Sequence, residues 1–499
     1  MTTVDYRAAE SAGKDRDVVV SGEDLERSRL RLLLFLGGLA LGPLTFATLT
    51  TSVIPLVGEL SGHYGVSQAT ASLIVIVALI AGAVATPLLG RLADLHGKRR
   101  MLLVTLSLLL AGCALAAVTD SFGLLLVARV LQGTGCAAIP LGYAVIADTV
   151  PASRRNFSLG LLSATSTAGG GLGFVFGGSM VAWTGSVQSM FAVLALVAAA
   201  ALVATARLVA PSKIRASGRM DLVGATLLAV GLTGCLVALS EGGAWGWNAP
   251  ATMLFASVGI VGIAAWTVHG RRARDPLVDT RMFFSRRMVV GSVSMLALGS
   301  GAYTLMLCVV VIAQADPAVA GYGLGLGSIA APALLIPSCV AQVAMAMSLS
   351  PVARRLGLRG ALVLGAVITA AGLLAVASLH NSIAVLVVLT VVCSIGFGLL
   401  ASASPAYVVS MVGQTERGVA AGMNFICRTA GQALGTATVA AAVTVATPLG
   451  SAVPALAGYT TALQIGAGLA LVAAAVALVP AVRAKPPVPV PAAPTATVG

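Results

Sequence analysis

The stretch "GRLADLHGKRR" at residues 90–100 decides how this sequence is organised. It holds a single acidic residue, Asp94, between two glycines, Gly90 and Gly97, and it ends in a basic cluster. Long apolar runs lie directly before and after it. A short charged link between two such runs is typical of a loop between membrane-spanning helices. The basic cluster predicts that this loop is cytoplasmic, but it explains neither the glycines nor Asp94.

The composition excludes a soluble globular protein. The 499 residues are 58% hydrophobic and only 9% charged, whereas soluble domains carry roughly a quarter of charged residues. The net charge of +13 therefore indicates membrane topology rather than a nucleic-acid partner. The seven cysteines all lie in apolar runs without the spacing of a metal site or a disulfide framework, so neither is expected.

Apolar runs of membrane-spanning length recur along the chain. A helix needs about 20 mostly apolar residues to cross a hydrocarbon core of roughly 30 Å. We therefore predict an all-α integral membrane protein with fourteen transmembrane helices. The predicted spans are 32–54, 71–90, 101–118, 121–147, 158–181, 190–209, 222–241, 252–269, 289–313, 323–347, 361–379, 383–411, 418–446 and 459–481. A break near Pro405 is an alternative within the twelfth span.

The basic residues are unevenly distributed among the predicted loops. Of the 30 lysines and arginines, 28 fall at the N-terminus, in alternate loops or at the C-terminus, and the other loops hold none. Because short loops rich in Lys and Arg stay on the cytoplasmic side, both termini are expected in the cytoplasm, with an even number of helices. The predicted location is the plasma membrane, which in a bacterium is the cytoplasmic membrane.

The sequence also repeats itself. "RNFSLG" at 155–160 aligns with "RGVAAG" at 417–422, and "GRLADLHG" at 90–97 aligns more distantly with "SPVARRLG" at 350–357. We therefore expect two six-helix halves in the same orientation, with two inserted helices between them. The predicted division is a cytoplasmic tail at 1–30, a first half at 31–210, the inserted helices at 211–275, a second half at 276–482 and a disordered Pro-rich tail at 483–499.

Several of these motifs resemble the fourteen-helix drug-efflux branch of the major facilitator superfamily. "GRLADLHGKRR" matches the loop signature of the superfamily at every key position, and "LLVARVLQGTGCAA" at 125–138 matches its fourth-helix motif. The segments 221–247, 275–287 and 416–437 resemble the seventh helix, the loop after the eighth helix and the thirteenth helix of that branch. The resemblance covers residues 30–482 and implies a drug:proton antiporter.

The resemblance gives the opening loop a conformational role. In the family, the loop aspartate contacts a helix N-terminus and an arginine of the opposite half on the cytoplasmic side, and this contact breaks when the gate changes position. Asp94 is therefore expected to act as a latch for the outward-open state; a loop that only sets topology is the alternative. The residues assigned to the latch loop are Gly90, Asp94, Gly97, Lys98, Arg99 and Arg100.

A buried arginine is predicted in the fourth span, where a charge is costly and normally faces a cavity or a partner. The resemblance implicates this residue, Arg129, in proton coupling, and Gln132 shares its helical face. A structural hydrogen bond to neighbouring carbonyls is the alternative. No carboxylate lies deep in any predicted span, and Phe46 stands where drug exporters of this branch have an acid. Asp120, expected two turns from Arg129 on the same helix, is the candidate proton carrier.

A second polar stripe lies on the predicted thirteenth helix. Asn424, Arg428 and Gln432 follow one another at steps of four residues, which places them on one face. One polar face inside a membrane favours a water-filled substrate cavity, and we expect Tyr143 of the fourth helix to line it as well. Packing between helices is the alternative.

The predicted fifth helix carries the glycine pattern of the family's antiporter motif, which is associated with export. Gly169, Gly173, Gly177 and Gly178 match it, but Phe174 stands where proline is expected. Small residues at steps of four allow close helix approach, which we expect across the interface between the halves. The missing proline is expected to change the local bend.

Three functions remain open. The first is proton-driven export of hydrophobic or amphipathic drugs or antibiotics; the second is a narrow-specificity metabolite transporter, with uptake as an open direction; the third is a membrane sensor or scaffold without transport. An enzyme is not expected, and the absence of a G-x-x-x-x-G-K-[ST] loop excludes direct ATP drive. The expected partners are a small substrate, protons and the lipid bilayer, with neither nucleic acid nor a cofactor.

Overall fold

The computed structural model describes residues 29–66, 68–211, 219–278, 280–327, 330–413, 416–447 and 454–479. Across these ranges the chain is helical and forms no strand. The predicted Pro-rich tail and all but the end of the predicted N-terminal tail lie outside the described residues.

Fourteen main helices within the described ranges are labelled α1–α14. Their bounds are Arg29–Ser52 (α1), Gln68–His96 (α2), Lys98–Val118 (α3), Phe122–Thr149 (α4), Ala152–Thr184 (α5), Val187–Leu208 (α6), Leu222–Trp245 (α7), Pro250–Arg272 (α8), Arg286–Gln314 (α9), Ile336–Met347 (α10), Leu349–Ser378 (α11), Ile383–Met411 (α12), Arg417–Ala446 (α13) and Leu456–Leu478 (α14). Short helices lie in the connections at Val57–Tyr64, Thr280–Phe283, Pro317–Ala320 and Ala330–Ala333.

The integral-membrane architecture is confirmed. Among the described residues, 12 helices are long and apolar enough to cross a bilayer, and α5 adds a thirteenth if its two arms, which meet at 42°, form one span. α10 is apolar but only 12 residues long. The count of fourteen spans therefore stays a prediction. α12 is continuous through Pro405, so the alternative of a break there was wrong.

The tenth predicted span, 323–347, begins too early. Gly321, Gly323 and Gly325 have φ of 72°, 105° and 61°, in the left-handed region that an α-helix does not use. The chain turns there before Ala330–Ala333 and α10 begin. The segment is apolar, as predicted, but the glycine turn separates its first residues from the helices that follow.

The helix packing repeats between two sets of six. In the first set α1 packs on α5 and α6, and α3 packs on α4 and α6; in the second, α9 packs on α13 and α14, and α11 packs on α12 and α14. The two sets meet through α2 against α13 and through α5 against α10, which are equivalent contacts in the two repeats. We call α1–α6 the N-half and α9–α14 the C-half.

Three of the four antiporter-motif glycines pack on α1 within the N-half, so the expectation that these glycines face the opposite half was wrong. A Cβ on Gly169 would lie 2.6 Å from the Leu44 carbonyl oxygen of α1, and Gly173 and Gly177 also lie directly against α1 carbonyls. Gly178 faces open space. The sequence shows which helix has a face of small residues, but it does not show which neighbouring helix packs on that face.

The same packing recurs in the C-half. Gly431 of α13 lies against the carbonyl of Leu296 on α9, and a Cβ on Gly435 would lie 2.5 Å from the Ser300 carbonyl oxygen. These are the repeat partners of Gly169 and Gly173. The internal repeat is therefore visible in the register of helix contacts as well as in the sequence.

The inserted helices cover one of the two lines along which the halves meet. α7 packs on α8, and it also contacts α2 of the N-half and α13 of the C-half. Trp266 of α8 and Leu277 of the following loop belong to a buried apolar cluster with Val419, Met423 and Ile426 of α13. Among the described helices, neither inserted helix packs along the α5–α10 contact.

Asp221 joins the start of α7 to the end of α8. Its carboxylate accepts hydrogen bonds from the backbone N–H groups of Gly224 (2.8 Å) and Leu277 (3.2 Å), and it lies 2.9 Å from Nε2 of His269. Partial burial alone would raise the pKa of Asp221, but these hydrogen bonds outweigh burial and hold the pKa below its ordinary value of 3.8.

Candidate transport site

Asp94 lies in the last turn of α2 and makes direct contact with the C-half. Its side chain is 1% exposed, and it accepts hydrogen bonds from the backbone N–H groups of Gly418 (3.3 Å) and Val419 (3.1 Å) in the first turn of α13. Helix N-termini carry unpaired N–H groups and a partial positive charge, both of which favour a carboxylate.

The glycines around this contact let the two helices approach. A Cβ on Gly90 would lie 3.0 Å from the Gly418 carbonyl oxygen, and a Cβ on Gly418 would lie 2.8 Å from Oδ1 of Asp94. Gly97 has φ 104° and forms the turn between α2 and α3. Gly357, its partner in the repeat, also has a positive φ, 71°.

The arginine of the opposite half contacts a different carboxylate. Arg417 Nη1 donates to Oδ1 of Asp148 (2.7 Å) and to the Ala147 carbonyl oxygen (3.0 Å) at the end of α4. Lys98 forms an ion pair with the same Asp148. Asp148 and Arg417 were missed as partners, although both stand at helix ends beside recognised motifs. We call these contacts, together with those of Asp94, the seam.

The other basic residues of the latch loop do different things. Arg99 donates to the carbonyl of Ala206 near the end of α6, within its own half. Arg100 is exposed. Of the three basic residues assigned to the loop, Lys98 is therefore the one placed in the seam, through its pairing with Asp148.

Arg129 is enclosed within the N-half. It is 1% exposed; its Nε donates to the Ile74 carbonyl oxygen of α2 (2.7 Å), and its Nη1 donates to Oε1 of Gln132 (2.8 Å). Gln132 in turn donates to the Gly112 carbonyl oxygen of α3 (3.0 Å). The pair ties α2, α3 and α4 together, which is the geometry of the structural alternative. A coupling role for Arg129 stays a prediction.

Asp120 does not lie where it was expected. α4 begins at Phe122, so Asp120 precedes the helix that carries Arg129, and its side chain is 87% exposed. It accepts a hydrogen bond from Gln188 (3.3 Å) and lies 3.8 Å from Nε2 of His63. Its placement on α4 was wrong because the apolar run does not show where the loop ends.

Asn424 is buried between helices rather than facing a cavity. It is 1% exposed, and its Nδ2 donates to Oγ of Ser404 on α12 (3.1 Å). Ser404 donates to the Gly291 carbonyl oxygen of α9 (2.9 Å). Asn424 therefore fastens α9, α12 and α13 to one another, and its assignment to the substrate cavity was wrong. Phe46 also packs inside its own half, against Gly135 of α4.

Arg428 differs from Asn424 and from Arg129, both of which are fully buried and hydrogen-bonded. It is partly buried, and its guanidinium carbon lies 5.6 Å from the centre of the Phe425 ring. Its helix, α13, packs on α4 of the N-half and on α9 of the C-half, and Arg428 interacts electrostatically with Tyr143 and Tyr303 of those two helices. Gln432, one turn further along α13, is also partly buried.

The helix packing repeats in two sets of six, and the two sets contact each other through α2 and α13 and through α5 and α10. A model of the Major Facilitator Superfamily matches residues 39–436, and the chain therefore belongs to that superfamily. The family expected from the sequence is confirmed.

The relatives of this chain include named exporters. It is 26% identical over 363 residues to the tetracenomycin C resistance and export protein of Streptomyces glaucescens, covering 72% of this chain and 66% of that protein. It is 28% identical over 357 residues to a cephamycin export protein of Amycolatopsis lactamdurans, covering 70% and 72%. The chain spans only about half the length of other curated relatives that it matches, 53% and 54%.

Solved structures show the same fold. The human organic anion transporter MFSD10 superposes with a TM-score of 0.63 at 17% identity, covering 90% of this chain and 99% of that one. At that identity the match establishes the fold alone.

Proposed function

We propose that this protein is a secondary active transporter that exports hydrophobic or amphipathic small molecules, as in drug or antibiotic efflux. Export proceeds by alternating access, driven by inward proton flow. The observation that carries the proposal is the seam, where Asp94 bonds to the first turn of α13 and Asp148 to Arg417. These hydrogen bonds join the N-half to the C-half at a single end of the helices.

The seam has the strength expected of a gate. A hydrogen bond to a charged group contributes about 1.5–3 kcal/mol, so a few such bonds favour the closed end by several kcal/mol at most. Differential binding of a substrate or a proton reaches that range. The contacts within each half are different in kind, because glycines there lie directly on backbone carbonyls. The halves therefore move against one another while each keeps its internal packing.

The distribution of basic residues supports a cytoplasmic position for the closed end. The seam includes residues 90–100, whose basic cluster favours the cytoplasmic side. We infer both termini in the cytoplasm, fourteen spans, and an outward-facing state for the arrangement described above. The names of the two export relatives support the outward direction.

Accumulation of fluorescent dyes in efflux-deficient cells tests the function. Cells expressing the protein should accumulate less dye than control cells, and a protonophore should abolish that difference. Dye export that survives the protonophore would refute proton drive. No difference across a chemically varied panel would refute multidrug export and favour a narrow metabolite transporter, which uptake of labelled metabolites into proteoliposomes would then identify.

A further inference from the structure

Among the described residues, a single cationic side chain, that of Arg428, lies deep in the space between the halves. α13 begins at Arg417, so Arg428 is about 16 Å along it at 1.5 Å per residue, near the middle of a core of roughly 30 Å. It interacts electrostatically with Tyr143 and Cys136 of the N-half and with Tyr303 of the C-half. Because α13 packs on α4 and on α9, groups of both halves lie within electrostatic range of this guanidinium.

Among the residues that the structure describes, this charge has no counter-ion. Within the described part of the chain, Arg428 forms neither an ion pair nor a hydrogen bond. Its guanidinium makes a cation–π contact with the Phe425 ring. Arg129 shows what a structural arginine looks like here, since carbonyl and amide oxygens hold it on two sides. Arg428 has no such support, although a charge at that depth normally requires a partner.

The described residues around Arg428 supply hydrogen-bond donors and aromatic rings, and none of them is an acid. The carboxylates among the described membrane helices and their ends lie near either surface, including Asp94 and Asp148 at the seam and Asp120 at the opposite end. The hydroxyl of Tyr303 makes no hydrogen bond to a described residue, so it is a second available donor. The Phe425 ring supplies apolar surface beside the charge, and Tyr143 and Tyr303 are the aromatic side chains on the neighbouring helices within its electrostatic range.

We propose that Arg428 is the counter-ion for the substrate. The substrate class is then an amphipathic aromatic acid, meaning a ring system that carries a carboxylate or an acidic phenol. The guanidinium binds the oxyanion, with Tyr303 as an additional donor, and the rings pack on the aromatic body. An arginine fork matches a carboxylate with two parallel hydrogen bonds, and an uncompensated positive charge repels cationic drugs of the same shape. This inference rests on the proposed function.

Binding of two dyes that share a ring system but differ in charge tests the proposal. The full-length protein is purified into lipid nanodiscs, and fluorescence anisotropy measures the Kd of fluorescein, an anion, and of rhodamine 123, a cation. We expect wild type to bind fluorescein at least tenfold more tightly. Arg428→Gln should weaken fluorescein binding at least tenfold without weakening rhodamine binding, and Arg428→Lys should retain part of the affinity. Tyr303→Phe should give a smaller loss.

Arg271→Gln is the matched control, because Arg271 is exposed at the end of α8 and its loss changes the net charge equally. Its fluorescein affinity should equal that of wild type. Equal affinities of wild type for both dyes, no fluorescein binding, or unchanged binding in Arg428→Gln would each overturn the proposal. If Arg428→Gln does not fold, Arg428→Lys and Tyr303→Phe still decide it, since unchanged affinity in both would overturn it.

A parallel efflux assay separates this inference from the proposed function. Protonophore-sensitive efflux of rhodamine 123 without any preference for the anionic dye would overturn the anion site and leave export standing. Tight, Arg428-dependent binding of fluorescein without efflux of either dye would leave the anion site standing and count against export.

Discussion

Replacing Asp94 by Asn should shift the protein away from the state closed at the seam. The carboxylate, 1% exposed, accepts two backbone hydrogen bonds from α13 at 3.3 and 3.1 Å. An amide keeps one acceptor oxygen, loses the charge, and turns an N–H donor towards the second N–H. At about 1.5–3 kcal/mol for a hydrogen bond to a charged group, the substitution costs the closed state about 2 kcal/mol. That figure corresponds to roughly a 30-fold change in the equilibrium between the two gate positions.

Double electron–electron resonance measures this shift directly. Arg100 and Arg355 are exposed, one in each half, near this end of the molecule. Spin labels are attached at these two positions in a variant that lacks the native cysteines. We expect Asp94→Asn to lengthen the main distance and to abolish most dye efflux at normal expression. Asp275→Asn makes the same chemical change at an exposed loop position and should alter neither measurement.

An unchanged distance distribution in Asp94→Asn, with efflux equal to that of wild type, would refute the latch. A protein that does not reach the membrane would be explained instead by a role in folding. Surface expression and size-exclusion profiles distinguish that case from a shifted equilibrium.

Three further predictions concern packing and pH. Gly173→Leu should abolish folded protein, as judged by size-exclusion chromatography, because its side chain meets an α1 carbonyl, whereas Gly178→Ala faces open space and should be tolerated. Arg129→Gln should lower the melting temperature of the solubilised protein by several degrees, through loss of hydrogen bonds of about 1.5–3 kcal/mol each; an unchanged melting temperature with altered pH dependence of transport would assign it to coupling instead. The pKa of Asp221 in the folded protein lies below 3.8, so its stabilising contribution is present above pH 3.8 and is lost as the pH falls through the lowered pKa. Asp221→Asn should therefore make the melting temperature depend less on pH across that window.

The sequence predicted the helices well because the bilayer leaves an apolar chain few alternatives. Backbone groups without water must bond within the segment, so apolar length alone indicates a helix. The loop motif likewise placed Asp94 beside a helix N-terminus of the opposite half, where the structure has it. The first inference depends on the local sequence alone, and the second depends on a motif that is associated with a fixed geometry.

The remaining details depend on which helices become neighbours. Asp148 pairs with Arg417 across 269 residues of chain, and no local pattern in either helix encodes that partner. Asn424 and Arg428 lie at the same spacing on α13. Asn424 is hydrogen-bonded to Ser404, whereas among the described residues Arg428 has no such partner. Polar spacing identifies a face, whereas the neighbour that packs on it determines whether the face is structural or open.

The glycine contacts inside each half have a mechanical consequence. α13 has 30 residues and is therefore about 45 Å long, and its glycines fix it to α9 by direct contact with backbone. A pair joined in this way resists bending, so in the proposed transport cycle it tilts as a unit. Tilting such a rod by about 10° about its midpoint moves each end by about 4 Å in opposite directions, at the same instant. Under the proposed alternating access, such a tilt widens the passage at one membrane surface and narrows it at the other, so a single motion opens one end while it closes the opposite end.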